Sequence, residues 1–470
     1  MRNKSIFLIC FLFYYIGVFS QEKVVIKGRI MNAVTSSVYV STYTDFLSFS
    51  NLILDSCKLN ENGTFSLEFE WSQPGPAKFF HGNEYTQLYL LPGDDYELEL
   101  DVSRFDSSVV HTTNGTNLNA YYAQKYLRFL PRGIQTIYKE STPIEFLRRE
   151  DSILYAKLSF LDSFYAIFPL HNAHTKAFYD YEFAELYYEV AEYKLSFEKS
   201  YNFFNKHEEP FVLTDTFYHF LDRLMPPQKG YYESYAYLRF IQSLINHRFQ
   251  EVHKLNSNRL YNDFKLSEIL NNTVPEIRAF LMAKWIVDLL NYQKDHSTAL
   301  MVYWFFISEK GNEKYKTMVD NEIKLFHKLD KGSDAPSFSL IDLNGNLVSL
   351  KDFEGKVVYL DFWASWCAPC VAEVPYAKVL KEKLKNKNIE FLYISLDNSE
   401  EKWKIAVENY KIEGVHLYLP GNFDSEIAKN YNIKGIPHYV IIDKEGKIYE
   451  NKADRPSGNV INELELLLDL

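Results

Sequence analysis

Two cysteines three residues apart, Cys367 and Cys370 with Ala368-Pro369 between them, are the side chains in this sequence best suited to chemistry. Thiols one helical turn apart can close a small disulfide ring with little backbone movement. Thiol–disulfide exchange needs such a pairing of an attacking thiolate with a second thiol close behind it. The pair follows an apolar run, Val357 to Trp363, that reads as a buried strand, and precedes residues Val371 to Lys383, which read as helix. A cysteine at a helix start faces unpaired N–H groups and the positive end of the helix dipole, and both favour the thiolate. Cys367 lies nearer that start, after Trp366 at what reads as a partly exposed edge, and is the expected nucleophile. Cys370, one turn in, is the expected buried resolving thiol. A zinc site would need a second ligand pair, and no other cysteine lies in this part of the chain. Neither metal nor cofactor is therefore expected. A purely structural disulfide across so short a loop would gain little from chain entropy.

Two carboxylates accompany the thiols. Asp361 interrupts an otherwise apolar strand, where a charge is costly to bury, so it is either exposed at an edge or held there for a purpose. Glu373, three residues after Cys370, lies on the same helix face.

The compound pattern F-W-A-S-W-C-A-P-C, with Glu373 followed by Val374-Pro375 and with Gly435-Ile436-Pro437 further on, resembles the thioredoxin superfamily. More closely, it is similar to the TlpA/ResA branch of bacterial envelope disulfide reductases. The likeness covers residues 331–470. It implies a thioredoxin fold and dithiol–disulfide exchange on disulfide-containing envelope proteins, with cytochrome maturation or oxidative-stress repair as family-level roles. Asp361 matches the buried aspartate that assists proton transfer at the resolving thiol of thioredoxins, although the TlpA/ResA branch often has an uncharged residue there. Glu373 matches that branch's glutamate. The expectation is Asp361 as base for Cys370 and Glu373 as modulator of Cys367, with the reverse assignment open. Pro437 matches the cis-proline facing the dithiol, with the backbone of Ile436 pairing with substrate. His438 stands where thioredoxins usually have threonine, and its role is undecided. Strong oxidants of this fold place a histidine between the cysteines. Ala368-Pro369 together with Asp361 leans instead toward a reductant, which outside the cytoplasm needs electrons from a membrane thiol donor. Peroxiredoxins share the fold, so a thiol peroxidase is an alternative, but their P-x-x-x-[TS]-x-x-C setting is absent here.

The remaining chain sets the address and the frame. At 470 residues, two to four domains are expected. Apolar and charged fractions of 47% and 24% are those of a globular protein, and a net charge of −11 without a basic stripe gives no sign of nucleic-acid binding. Arg2 and Lys4 precede an apolar run from Ile6 to Phe19, so residues 1–20 read as a secretory signal peptide, with a retained anchor as the alternative. Export to the periplasm or cell envelope follows. Of the three cysteines beyond that leader, Cys57 is odd by count and reads as a buried, small apolar side chain.

The chain as a whole reads as multidomain. Residues 21–112 alternate in hydrophobicity between Gly/Pro turns and predict a β-sandwich. The runs K-G-R-I, N-G-T-F-S-L and L-P-G-D-D-Y-E-L resemble the β-domain that often precedes thioredoxin modules in envelope proteins, with a docking or spacing role favoured. Residues 113–330 predict a central all-α region, with helix starts at Ser141-Thr142-Pro143 and Thr273-Val274-Pro275 and helical segments over Ala177–Phe204 and Tyr231–Phe249. Its dense tyrosines and phenylalanines read as core, and its histidines show no ligand spacing. Residues 331–470 predict the α/β thioredoxin fold, opened by a two-residue hairpin at Asn344-Gly345. The function class that competes with an enzyme is a peptide- or glycan-binding envelope protein with an accessory thioredoxin module.

Overall fold

A computed structural model describes residues 22–47, 51–104, 110–113, 118–129, 133, 137–138, 142–167, 172–205, 211–224, 229–252, 258–293 and 295–468. The leader reading at 1–20 lies outside the described residues, and so do Pro131, Pro169, Pro210, Pro226 and Pro227, at which the sequence predicts breaks between helices. By its internal contacts the chain divides into two compact units. One runs to Ile286 and adds His296–Lys316; the other joins Val287–Asp295 to Thr317–Leu470. Helical residues before position 331 thus belong to the unit that carries the cysteine pair.

The first unit begins with strands β1 (Glu22–Met31), β2 (Ser37–Tyr43), β3 (Asn51–Lys58), β4 (Thr64–Trp71), β5 (Gly75–His81), β6 (Glu84–Leu90), β7 (Asp95–Asp101) and β8 (Val110–Thr113). They form two four-stranded sheets, β4-β1-β7-β8 and β3-β2-β5-β6. Alternation along each strand sends Val24, Ile26, Val38, Val40, Phe65, Leu67, Phe79 and Leu98 into one shared core. Cys57 is only partly buried against that core and carries a free thiol.

Helices follow: α1 (Asn119–Arg128), α2 (Pro143–Ala166), α3 (Ala173–Leu195), α4 (Phe197–Asn205), α5 (Tyr235–Val252), α6 (Asn258–Asn272), α7 (Pro275–Asp288), α8 (His296–Ser308) and α9 (Glu313–Lys328). At the start of α2, Thr142 accepts from Glu145 N and the Glu145 carboxylate accepts from Thr142 N, a reciprocal cap with Pro143 behind it. The single helix expected over Ala177–Phe204 is two, α3 and α4, parted at Ser196. A π-helical turn, Leu289–Gln293, separates α7 from α8. Tyr188 is fully buried, ringed by Tyr237 at 4.7 Å and Phe240 at 5.3 Å, while Tyr179, Tyr181, Phe183 and Tyr193 pack against core clusters. Tyr188 is thus enclosed and the others are half-buried against the core, whereas Phe203 on α4 is exposed. No helix among the described residues is long and apolar enough to cross a membrane.

The second unit holds a seven-stranded mixed sheet in the order β10-β9-β13-β12-β11-β14-β15. Its strands are β9 (Ser339–Asp342), β10 (Leu347–Ser349), β11 (Val357–Trp363), β12 (Ile389–Ser395), β13 (Val415–Tyr418), β14 (His438–Ile442) and β15 (Ile448–Glu450). Besides the Leu289–Gln293 turn and α9 from Thr317 on, its helices are α10 (Ala368–Lys383), α11 (Glu400–Tyr410), α12 (Glu426–Asn430) and α13 (Val460–Leu468). Every residue of β11 is buried, because this strand is central, parallel to β12 and antiparallel to β14. The short strand β13, V-H-L-Y, is one that the sequence pattern does not announce. The first hairpin has three loop residues rather than two. Asp342 N donates to Asn346 O at 2.9 Å, Gly345 N closes the turn onto Asp342 O at 3.1 Å, and Gly345 takes φ +84°. A type I turn followed by a left-handed glycine is the three-residue solution. The β14–β15 hairpin repeats it at Asp443 and Gly446.

Candidate functional site

The cysteine pair sits where the central strand hands over to α10. Leaving β11, the chain turns through Ala364-Ser365-Trp366, and Cys367 N donates to Ala364 O at 3.1 Å. Cys367 is the N-cap of α10, in extended conformation, with Pro369 in the first turn. The helix therefore starts at Ala368, earlier than Val371, so Cys370 belongs to the first turn, where N–H groups have no intrahelical acceptor. One of them, Cys370 N, donates to Cys367 Sγ at 3.2 Å. The two sulfurs form a disulfide, with Cα atoms 5.3 Å apart.

Both cysteines are 4% exposed, whereas Trp366 is 57% exposed. The exposed position at this edge is thus Trp366, the residue before Cys367, and not Cys367 itself. Among the described residues no group of three or more His, Cys, Asp or Glu side chains is placed to hold a metal ion.

Asp361 is not at an edge. It lies in the middle of β11, directly opposite Tyr393 of β12 and Tyr439 of β14. Residues paired across strands share a face, so its neighbours along and across the sheet are Tyr359, Trp363, Tyr393 and Tyr439. These four belong to the same buried cluster as Cys367 and Cys370. Its Oδ1 has no hydrogen-bond partner among the described residues. Burial, and secondarily the charge of Glu373, hold the Asp361 carboxyl well above the usual carboxylate range. Burial likewise raises the hydroxyls of Tyr359, Tyr393 and Tyr439, so these rings remain neutral phenols.

Glu373 is buried on α10, one turn beyond Cys370. Its carboxylate accepts from Ser457 N at 3.0 Å and from Ser457 Oγ at 2.9 Å. Tyr359 OH donates to Asp454 O at 2.8 Å, so the segment 454–457 is tied to both the helix and the central strand. Ile436 and Pro437 are joined by a cis peptide and are half-buried. His438 opens β14, paired with Phe362, and its Nε2 lies 2.7 Å from Asn451 O.

A further carboxylate organises the turn before Cys367. Asp397, buried just past the end of β12, accepts from Ser365 N at 2.9 Å, Ser365 Oγ at 2.6 Å and Ser395 Oγ at 2.8 Å. Sequence reasoning missed it. The usable signal was its place immediately after a buried parallel strand, the end at which α/β sheets carry their sites.

A mixed sheet whose central strand delivers a disulfide to a helix N-terminus, with a cis-proline segment opening the neighbouring strand, defines a thioredoxin-fold dithiol protein. The Redoxin family model matches residues 330–465. The thiol-disulfide oxidoreductase ResA of Bacillus thuringiensis subsp. konkukian (strain 97-27) is 38% identical over 125 residues, 26% of this chain and 69% of that protein. ResA of Bacillus subtilis (strain 168) is 36% identical over 121 residues, 26% of this chain and 65% of that protein. Among solved structures, the thioredoxin domain of a thiol-disulfide oxidoreductase from Bacteroides vulgatus is 38% identical, covering 30% of this chain and 99% of that one, with a TM-score of 0.28. The chain belongs to the thioredoxin superfamily, in its TlpA/ResA-like branch, and is a thiol-disulfide oxidoreductase.

Proposed function

We propose that this chain is an exported disulfide reductase of the periplasm or cell envelope, cycling its Cys-Ala-Pro-Cys pair against disulfides of envelope proteins. The observation that carries the reading is the disulfide at the start of α10, in one buried cluster with the rings around a carboxyl of raised pKa. In the reduced enzyme the Cys367 thiolate, favoured by the helix N-terminus and by Cys370 N–H, attacks a substrate disulfide. A mixed disulfide forms and one substrate thiolate leaves. Cys370 then gives its proton to Asp361 and attacks Cys367 Sγ, closing the 367–370 disulfide and expelling the second substrate thiolate, which takes up a proton. Two electrons pass to substrate, and a membrane thiol donor restores the dithiol. Trp366 and the backbone of Ile436 supply the substrate-binding rim. Glu373, through its charge, adds to burial in making the Asp361 carboxylate more basic toward the Cys370 proton. No histidine stabilises the thiolate between the cysteines, which favours the reducing direction.

The test is thiol alkylation of the full chain equilibrated in graded redox buffers. A reversible two-electron transition of the 367–370 pair with a midpoint below about −200 mV is expected. A midpoint near −120 mV, the region of strong oxidants, would reverse the direction. A pair that never changes state would end the reading.

A second reading, ligand capture by the first unit, has one observation in its favour. A cavity of 320 Å³ between α2, α3 and residues 216–224 is walled by Tyr187, Phe217 and Phe220, and Lys194 lines it. Lys194 is nearly buried and its ammonium pairs with Asp151. Arg223 lines the cavity too, so that Lys194, Arg223 and the rings together outweigh Asp151 and suit the terminal carboxylate of an apolar peptide better than a neutral glycan. Such peptides should bind the full chain saturably in calorimetry, and Lys194→Met should weaken them about tenfold or more. Equal binding of the C-terminally amidated peptide would discard this reading.

A further inference from the structure

The helical residues of the second unit make a polar knot on the loop that leads into Ile436-Pro437. Asn432 is buried, with φ +53°, and its Nδ2 donates to Asn291 Oδ1 at 3.1 Å and to Glu322 Oε2 at 3.4 Å. Asn291 Nδ2 donates to the same Glu322 Oε2 at 3.1 Å. The other Glu322 oxygen, Oε1, pairs with Lys434 Nζ at 3.0 Å. One carboxylate, largely shielded from solvent, thus grips two residues of the loop, two and four positions before Ile436.

The other flank of β14 is held from the same place. Lys452 Nζ donates to Leu290 O at 2.8 Å and to Asn291 Oδ1 at 3.0 Å. Lys452 follows Asn451, whose carbonyl meets His438, and precedes Ala453, whose N–H donates to Tyr439 O at 3.0 Å. The backbone carbonyl of Leu290 is available because it lies in the π-helical turn Leu289–Gln293, and such turns leave main-chain groups outside the regular ladder. The segments before and beside Ile436-Pro437-His438 therefore converge on Asn291 and Glu322. Neither residue lies in the region that resembles thioredoxins.

We infer that Glu322 and Asn291 are positioning residues for the oxidoreductase: they brace the loop on which Ile436 and Pro437 stand, and so set how tightly an extended disulfide substrate is held, without touching the sulfurs. This rests on the reductase reading for its substrate. The brace itself is a statement about the loop. Asn432 closes α12 in the left-handed region, where Asn432 N donates to Lys429 O at 3.1 Å and Ile433 N to Ala428 O at 2.9 Å; Glu322 and Asn291 hold its amide, and Glu322 holds Lys434, in the chain just beyond that cap. Removal of the Glu322 carboxylate takes away the Lys434 pair and one of the two acceptors of the Asn432 amide; this loosens the segment that follows the cap, and the entropy of re-ordering it is then charged to substrate binding. Chemistry at the disulfide, set by α10 and β11, stays as it was.

The experiment uses the full chain. Glu322→Ala is expected to speed amide hydrogen exchange in peptides spanning 432–438 by about tenfold, a loss of ~1.4 kcal/mol of local protection. With insulin as the disulfide probe, KM should rise by about the same factor while kcat and the redox midpoint stay at wild-type values. Glu322→Gln keeps an acceptor for Asn432 and should restore most of the protection, losing only the Lys434 pair. Lys452→Met, which cuts the second flank and is a milder change, should raise exchange near 438–439 and leave the 432–435 peptides unchanged. Wild-type exchange and wild-type KM in Glu322→Ala would overturn the inference. So would equal losses in kcat and in the midpoint, since these mean general damage. If the wild-type chain reduces no insulin, the reductase reading fails, yet the exchange data still decide whether the brace exists.

Discussion

Replacing Cys370 with serine is expected to turn turnover into capture. The variant keeps Cys367 at the N-cap of α10, with the residue 370 N–H still aimed at its sulfur, so the first attack on a substrate disulfide proceeds. Serine cannot displace the substrate sulfur, and the mixed disulfide persists. Multiple turnover should fall to background while a covalent adduct accumulates one-to-one, readable by non-reducing electrophoresis and intact-mass spectrometry. Cys367→Ser should also fall to background, but with no adduct. Cys57 does not confuse the readout, because burial raises its thiol pKa and leaves less thiolate at neutral pH. Adducts formed through Cys370 in the Cys367→Ser variant would exchange the roles of the two thiols. The adducts themselves would name the substrates.

The second large effect is expected at Asp361. Asp361→Asn removes the only titratable group on the buried face of β11 facing the α10 disulfide cluster, apart from the phenols beside it. Resolution of the mixed disulfide should slow by about a hundredfold, the usual scale for a positioned proton acceptor, while the first attack keeps its rate. Rapid-quench alkylation would show the mixed disulfide building up transiently. In wild type, resolution should rise with pH through the raised Asp361 pKa, and in the variant this rise should vanish. Identical pH profiles for the two proteins would remove Asp361 from the mechanism.

Stability should move the other way. Burial first, and the Glu373 charge second, raise the folded pKa of Asp361 above its unfolded value. The folded chain therefore holds a proton that the unfolded chain releases at a lower pH, and stability is lost as pH rises through that window. The window opens near the unfolded value of about 3.9 and ends at the raised folded pKa. Asp361→Asn lacks this loss, so it should melt a few degrees higher than wild type at pH 8, and the gap should close toward pH 4. A carboxyl in an apolar site, with Oδ1 unpaired among the described residues, costs stability in the way expected of a group held for its reactivity.

Much of the site could be read from residue order because its parts are local. Cys367 and Cys370 share one helical turn, Glu373 is the next position on the same face, and Trp366 precedes the cap. The strand Val357–Trp363 announces itself by its apolar run. Alternation at Val24, Ile26, Val38 and Val40 likewise fixed which side of the N-terminal sheets faces inward, since the period of a strand is a property of its backbone. Spacing of this kind survives any tertiary arrangement.

Where order fell short, the contacts cross the fold. Whether Asp361 was exposed or enclosed depended on Tyr393 and Tyr439, residues 32 and 78 positions away that only the strand order of the sheet brings alongside. The partner of Glu373 is Ser457, 84 residues on, and the partner of Ser365 is Asp397, 32 residues on. Asn291 and Glu322 reach Asn432 from helices that composition assigns to a separate region, 141 and 110 residues before it. The sequence by itself determined the reacting sulfurs and the elements that carry them, because those follow from periodicity and helix-start chemistry. Only the tertiary structure decided what surrounds Asp361 and what steadies the segment at Pro437, because burial and hydrogen-bond partnership belong to the packed sheet and not to any stretch of it.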